Sequence, residues 1–193
     1  MNFPDFKNPG YLKEGTPRQK EAYKTLSSLK IFELLNSYSP ILTGTIPIDI
    51  DLPESDLDII CSSSDLTEFA AQVKVHFGDC QRFKQSLSEI NNEESVVTNF
   101  FAEGFDLEIF CQNKSTDKQN AYLHMLAEAK VIAIGGEAFK KQARLLKTKG
   151  IKTEPAFAQL LSLPGDPYQA VLDLNHLSEE KLRELVVHKV LLF

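Results

Sequence analysis

Residues 55–61 read Ser-Asp-Leu-Asp-Ile-Ile-Cys and place two aspartates, Asp56 and Asp58, at the start of an apolar run. Side chains alternate between the two faces of a strand, so both aspartates are expected on one face and the apolar residues on the other. Neighbouring carboxylates repel each other and raise each other's pKa unless a cation holds them together. A pair of this kind on an apolar strand indicates a divalent metal ion.

A later run, residues 105–111, repeats this pattern with Asp106 and Glu108 on one face of a hairpin strand. Glu108 is the better candidate for a functional acid, because Asp106 lies nearer to the hairpin turn. Cys61 and Cys111 each follow an acidic residue by three positions, and this odd offset puts the thiol on the opposite face. Both are expected to be buried core residues and not ligands, as free cysteines generally are.

A second aspartate pair, Asp49 and Asp51, also alternates, but Pro47 and Pro53 flank it and no long apolar run follows. Proline removes a backbone donor and restricts the residue before it, which disfavours a paired strand here. We interpret these two residues as loop acids. The interval 44–56 leaves room for a loop that bends over the strand end.

Hydrophobic periodicity and helix caps predict the elements that would position these acids. The first part of the chain mixes helices and strands, and everything after Asn113 has helical periodicity. The predicted strands cover 41–42, 56–61, 80–88, 96–101 and 105–111, with a loop at 91–92. The predicted helices cover 17–38, 66–77, a pair around a break at 135–136 that ends at 149, then 153–163, one after a turn at 164–167, and 178–190.

This layout predicts an α+β fold, with a mixed β-sheet and flanking helices followed by a C-terminal α-helical half. We expect an irregular N-terminal arm over 1–16, an α/β core over 17–113 and a helical region packed on that core over 114–193. A chain of 193 residues is long enough for a sizeable core of this kind.

Bulk composition restricts the expected partners. The net charge of −6 and the pI of about 5.3 argue against broad nucleic-acid binding, so no nucleic-acid partner is expected. No apolar run approaches the roughly 20 residues that cross a bilayer, so no membrane partner is expected. Three cysteines without close pairing suggest a reducing compartment, and no signal peptide is visible, so we expect a cytoplasmic protein.

The order of Gly44–Thr45, then Asp56 and Asp58, then Glu108 resembles the signature of the nucleotidyltransferase superfamily of DNA polymerase β type. That signature is Gly-Gly or Gly-Ser, then Asp-x-Asp/Glu, then a third acid on a later strand. Thr45 stands where the superfamily usually has Ser or Gly, and it keeps the hydroxyl. The resemblance implies a nucleotidyltransferase-like sheet in the α/β core.

The chain looks closer still to one bacterial group, the domain-of-unknown-function family 4269, over about residues 25–172. The matching segments share their order along the chain with that group. They read Gly-Thr-Ile-Pro-Ile, Ser-Asp-Leu-Asp-Ile-Ile-Cys, Glu-Ile-Phe, Gln-Asn-Ala-Tyr-Leu-His-Met, Lys-Thr-Glu-Pro-Ala-Phe and Gly-Asp-Pro-Tyr. The activity of that group is not established, so this resemblance implies a fold more than a reaction.

The superfamily resemblance implies metal-dependent transfer of a nucleoside monophosphate from a triphosphate such as ATP to a small-molecule or protein hydroxyl. Asp56, Asp58 and Glu108 would hold Mg²⁺ or Mn²⁺, and Glu108 would complete one metal site or activate the acceptor hydroxyl. Backbone N–H groups at Gly44–Thr45, with Ser55 nearby, would hold the phosphates. The alternative is a catalytically inactive module that binds a nucleotide or a protein.

A basic stripe on one predicted helix consists of Lys140, Arg144 and Lys147, at helical spacing, with Lys152 just beyond. It could hold a triphosphate, although a solvated helix face is the favoured interpretation. Lys147 and Lys152 are kept as candidate nucleotide-binding residues.

Two residues of the helical half are kept as pocket candidates, His124 and Glu154. His124 falls with Asn120 and Glu128 at helical spacing, on the polar side of its helix. The alternative for His124 is a hydrogen bond at the surface or between helices. Glu154 is kept because of the family resemblance.

Overall fold

The computed structural model describes residues 3–90 and 92–191. A sheet unit comprises Asp5–Pro47 and Ser55–Gln119, and a helical unit comprises Met1–Pro4, Ile48–Glu54 and Asn120–Phe193, as far as these residues are described. The α+β class with a C-terminal helical half is confirmed. The finer division into 1–16, 17–113 and 114–193 stays a proposal. Predictions for residues 1–2, 91 and 192–193 lie outside the described residues.

The sheet unit contains a five-stranded mixed sheet. Its strands are β1 (Ile41–Thr43), β2 (Leu57–Ser62), β3 (Gln81–Ile90), β4 (Glu93–Ala102) and β5 (Phe105–Gln112). The strand order is β1-β2-β5-β4-β3. β2 and β5 run parallel, whereas the other neighbouring strands run antiparallel. The predicted strands are all present, and β3 and β4 are longer than their apolar alternation indicates.

Helices of the sheet unit begin at recognisable caps. They are α1 (Pro17–Ser28), α2 (Ile31–Leu34) and α3 (Leu66–Phe77), with 3₁₀ turns at Pro9–Glu14, Asn36–Tyr38 and Thr116–Lys118. A capping box between Thr16 and Gln19 starts α1. The prediction of one helix over 17–38 is wrong, because Lys30 takes a left-handed conformation with φ 54° and ends the regular helix.

The core of the sheet unit joins buried residues of α1, α2 and α3 to those of the sheet. Phe77 of α3 stacks on Phe100 of β4 with ring centroids 5.2 Å apart. Cys61 and Cys111 are both fully buried, which confirms the prediction that they are core thiols. Burial raises the pKa of Cys111 to about 12 and that of Cys61 well above its ordinary value, in keeping with protonated core thiols.

The helical unit consists of α4 (Asn120–Thr148), α5 (Thr153–Leu161), α6 (Pro167–Asp173) and α7 (Glu179–Val190). The predicted break at Gly135–Gly136 is confirmed as a kink, because Gly136 has φ 58° and ψ −155° inside α4. Phe139, just after the kink, packs on Phe157 of α5 with ring centroids 5.0 Å apart. Among the described residues, no helix combines the length and the apolar character that a membrane span requires.

Candidate active site

The central acids of the candidate site lie on adjacent parallel strands. Asp58 of β2 is in register with Glu108 of β5, and matched residues of a parallel pair point to the same face. The row continues to Thr43 of β1 and Asn99 of β4, so four polar residues cross the sheet side by side. Leu57, Ile59, Leu107 and Ile109 are fully or almost fully buried in the core. This alternation leaves both acids half-buried on the other face.

Asp56 lies just before β2 and is exposed to solvent. Burial raises the pKa of Glu108, and the negative charge of Asp56 raises it further. Neither Asp56 nor Glu108 forms an ion pair with any residue in the described part of the chain. The carboxylates of Asp56 and Glu108 therefore repel each other, and no cationic side chain in the described part of the chain pairs with either of them.

Gly44 brings the turn after β1 directly against Asp58. Its φ is +82°, and a Cβ built at this position would lie 2.4 Å from Asp58 Oδ2. Only glycine allows both the backbone conformation and this approach. Beyond it, Thr45 Oγ1 lies 3.3 Å from Ser55 Oγ, so the turn is joined to the residue that precedes the acids.

The first turn of α1 contacts the backbone just before and just after the segment 48–54, within the sheet unit. Gln19 Nε2 donates to the carbonyls of Ile46 and Pro47 at 2.9 and 3.1 Å, and an Arg18 N–H donates to the Ser55 carbonyl at 3.4 Å. Sequence reasoning missed Arg18 and Gln19. The only signal was the Thr16–Gln19 capping box, which places Gln19 at a helix start but does not reveal its contacts with the loop.

The chemistry of the donor set fits a hard divalent cation, since Asp56, Asp58 and Glu108 offer only carboxylate oxygens. The described residues contain no group of three or more His, Cys, Asp or Glu side chains in an arrangement that could hold a metal ion. The structure thus brings Asp58 and Glu108 together, with Asp56 close enough to affect Glu108, but the three carboxylates do not converge on one point.

The basic stripe belongs to the helical unit and is not a solvated face, so that interpretation is wrong. Lys140 Nζ lies 2.7 Å from Asp49 Oδ2, and Arg144 lies 2.6 Å from Asp49 Oδ1. Lys147 Nζ donates to the Ile50 carbonyl at 2.8 Å. The stripe is neutralised by the loop 48–54, which a helical period alone cannot reveal. Asp49 is a turn residue with φ 56°, in keeping with its interpretation as a loop acid.

The pocket candidates of the helical unit lie at the meeting point of three helices. His124 Nε2 is 3.0 Å from the Tyr168 carbonyl, and His124 Nδ1 is 3.6 Å from Glu154 Oε1. The contact with Tyr168 joins α4 to α6, and it matches the alternative interpretation of His124 as a residue that forms a hydrogen bond between helices. Placing this part of α4 on a polar side was wrong, because His124 and Glu128 are only 9% and 4% exposed. Lys152 is the residue that precedes α5 and is exposed.

Comparisons with known proteins identify the family and the fold. The profile of the family described as Domain of unknown function (DUF4269) matches residues 24–174. No curated protein matches the chain. Solved structures similar to it include the Cid1 poly(U) polymerase with MgGTP bound, at 13% identity and TM-score 0.53, covering 84% of this chain and 53% of that one. Cid1 with its short product ApU aligns at 14% identity and TM-score 0.52, covering 86% and 53%. A cytoplasmic RNA terminal U-transferase aligns at 14% identity and TM-score 0.51, covering 84% and 51%.

These neighbours correct one expectation. The prediction that no nucleic acid is involved is wrong, because the solved structures with this fold include RNA terminal U-transferases. The net charge of −6 is a sum over the whole chain. Binding of a nucleic acid requires a suitable potential only at the binding site, so a negative net charge does not exclude an RNA substrate. The chain spans about half the length of these neighbours. It belongs to the family described as Domain of unknown function (DUF4269) and has a nucleotidyltransferase fold.

Proposed function

We propose that the chain is a metal-dependent nucleotidyltransferase that transfers a nucleoside monophosphate from a nucleoside triphosphate to an acceptor hydroxyl. The observation that carries this proposal is the parallel register of Asp58 and Glu108, with the Gly44 turn packed against Asp58. The nucleotidyltransferase fold supports it, and so does the oxygen-only donor set. The acceptor hydroxyl would lie on a small molecule or a protein, and the structural neighbours add the 3′ end of an RNA as a further candidate.

Asp56, Asp58 and Glu108 would hold Mg²⁺ or Mn²⁺, ions that bind through a few carboxylates together with phosphate oxygens and water. Such an ion supplies charge stabilisation to the attacking and leaving oxygens of the phosphoryl group. The structural neighbour with bound MgGTP supports the choice of metal and of a triphosphate.

In the proposed reaction, the acceptor oxygen forms a bond to the α-phosphorus while the bond to the β-phosphate oxygen breaks and pyrophosphate leaves. Glu108 would take the proton of the acceptor hydroxyl, a role that its raised pKa suits. Backbone N–H groups of Gly44 and Thr45, with the hydroxyls of Thr45 and Ser55, would hold the β- and γ-phosphates. Lys147 and Lys152 remain proposed contacts of the nucleotide. Lys147 would make this contact in addition to its hydrogen bond to the Ile50 carbonyl.

The second candidate is a nucleotide-binding module without catalytic activity. It is favoured by one observation, that the described residues contain no three-acid group already arranged around a metal position. The two candidates differ in whether bound triphosphate is turned over. Both predict that ATP with Mg²⁺ raises the melting temperature, and only the first predicts release of pyrophosphate.

The test supplies Mg²⁺ or Mn²⁺, each of the four labelled ribonucleoside triphosphates, and three acceptor pools: small metabolites, proteins and an RNA with a free 3′ hydroxyl. We expect metal-dependent label transfer and pyrophosphate release, reduced at least about 100-fold in Asp58→Asn and Glu108→Gln. Asp106→Asn is the matched control, because Asp106 lies on β5 two residues from Glu108 but pairs with Arg82 at 3.0 Å. It should keep full activity.

Pyrophosphate release that survives Asp58→Asn would remove the catalytic assignment. Triphosphate binding without any turnover, in the presence of all three acceptor pools, would establish the binding module instead. Transfer to RNA alone would fix the acceptor class.

A further inference from the structure

Arg18, in the first turn of α1, contacts both parallel strands of the candidate site at equivalent positions. One of its N–H groups donates to the Ser55 carbonyl at 3.4 Å. Its guanidinium carbon lies 3.9 Å from the centre of the Phe105 ring. The matched register of β2 and β5 begins two residues after each of these contacts, at Leu57 and Leu107. The Arg18 side chain therefore joins the points at which the two strands begin.

Each contact of Arg18 lies a short and equal distance along the chain from an acid. Asp58 follows Ser55 by three positions. Glu108 follows Phe105 by the same number, and the two acids are in register. Asp56 comes directly after Ser55 and before the first paired residue of β2, so the strand ladder does not fix it. A contact that holds Ser55 against the start of β5 therefore affects the placement of all three acids.

The two contacts of the guanidinium are sheltered from solvent. The Arg18 side chain is only 26% exposed, and Phe105 is only 3% exposed. A cation over an aromatic ring is attracted more strongly when it is partly desolvated. Arg18 also pairs with Glu21 at 3.4 Å, but that carboxylate is 61% exposed, and exposed ion pairs contribute little. The position of the guanidinium thus depends more on Ser55 and Phe105 than on Glu21.

We infer that Arg18 is a positioning residue of the proposed active site, which holds the three acids in place through Ser55 and Phe105. A guanidinium can lie over an aromatic ring and donate an N–H from its edge at the same time. A lysine ammonium is a point charge without this planar geometry, so lysine does not replace arginine here. The inference rests on the proposed transfer reaction, because it concerns the acids of that same site.

The experiment measures the Mg²⁺ affinity of the full chain by calorimetry, at a temperature where every variant is folded. The main variant is Arg18→Lys, which keeps the positive charge and loses the planar group. We expect it to bind Mg²⁺ about tenfold more weakly, as is typical when a residue that orients metal ligands is changed. Nucleotide transfer should fall by a similar factor. Amide hydrogen exchange over 55–58 should become faster in the metal-free protein.

Glu21→Gln is the matched control, because it removes the exposed ion pair of Arg18 and leaves the contacts with Ser55 and Phe105 in place. It should bind Mg²⁺ as the wild type does. Phe105→Leu is the second variant, since it removes the ring and keeps an apolar side chain in the core. It should weaken Mg²⁺ binding as Arg18→Lys does. The double variant should be little weaker than either single variant, because both changes break the same contact.

The outcomes separate the inference from the proposed function. If the wild type binds Mg²⁺ and transfers nucleotide, but Arg18→Lys only melts at a lower temperature and binds Mg²⁺ equally well, Arg18 has a purely structural role and the inference fails alone. Additive losses in the double variant would also overturn it. A wild type that neither binds Mg²⁺ nor transfers nucleotide would remove the proposed function, and the inference with it.

Discussion

The chain carries two Asp-x-Asp pairs within the ten residues 49–58, and their surroundings are opposite. Asp49 of the first pair is held by Lys140 and Arg144, both within 2.7 Å. Asp56 of the second pair forms no ion pair with a described residue, and its charge adds to the raised pKa of Glu108. The same residue types at the same spacing thus serve as a structural clamp in one place and as a candidate chemical site in the other.

The partners of an acid, and not its spacing, indicate its role. A carboxylate that already has two cations at hydrogen-bond distance offers little to a metal ion. Repulsion and desolvation destabilise a carboxylate that is half-buried beside other carboxylates, and a bound cation offsets this destabilisation. Such unfavourable electrostatics are typical of functional sites.

The largest effect is expected from crowding Asp58. Gly44→Ala adds a methyl group that would lie 2.4 Å from Asp58 Oδ2, in a backbone with φ +82°. If Asp58 holds the metal as proposed, displacing its carboxylate by about 1 Å should lower transfer activity roughly 100-fold. The left-handed backbone should cost about 1–2 kcal/mol of unfolding free energy. Transfer rates and urea denaturation measure the two effects separately.

Gly104→Ala is the control for backbone strain. Gly104 has φ +86° in the β4–β5 turn, and a Cβ there would meet no described atom within 4 Å. It should lose a similar unfolding free energy and keep its activity. If the two variants were equally active, the close packing of the turn on Asp58 would have no functional meaning.

An intermediate effect is expected from Asp49→Asn, which removes the charge and keeps the shape. Asparagine tolerates the left-handed conformation of residue 49, so the change reports mainly on Lys140 and Arg144. Because these side chains are only 16% and 31% exposed, we expect a loss of about 1–3 kcal/mol in urea denaturation. Amide hydrogen exchange over 48–54 should become faster.

Asp51→Asn is the matched control for the clamp. Burial raises the pKa of Asp51, so its carboxylate is a cost to the fold, and removing the charge should leave stability unchanged or slightly higher. If Asp51→Asn were as destabilising as Asp49→Asn, the first aspartate pair would act as a unit, and its difference from Asp56 and Asp58 would belong to the whole loop.

Local signals in the sequence were sufficient for much of the fold. The helix over 66–77 was predicted at its observed bounds, because Asp65 caps it through the Glu68 N–H at 2.9 Å, a contact within one turn. The kink at Gly136 and the burial of Cys61 follow equally local rules. The left-handed Lys30 was missed because nothing nearby marks it, neither glycine nor proline.

Contacts between residues far apart in the chain could not be predicted from the sequence. Alternation puts Asp58 and Glu108 on one face of their own strands, but only the parallel register of two strands fifty residues apart sets them side by side. The partners of the basic stripe were missed for the same reason, since Asp49 lies 91 residues before Lys140. A helical period identifies a stripe but not the loop that covers it. The assignment of these residues to a reaction stays a prediction.

The smallest effect is a change in how stability depends on pH. Because burial and Asp56 raise the pKa of Glu108, the folded state holds this proton more tightly than the unfolded state does. Its contribution is therefore fully present below the ordinary pKa of a glutamate and is lost as the pH rises through the raised value. Glu108→Gln should flatten this part of the stability curve, whereas Asp106→Asn, at an exposed ion pair, should not. Millimolar Mg²⁺ should flatten the wild-type curve in the same way, because a cation favours the ionised carboxylate. A wild-type curve that Mg²⁺ leaves unchanged would place Glu108 outside the metal site and reduce the contrast between the two aspartate pairs to electrostatics alone.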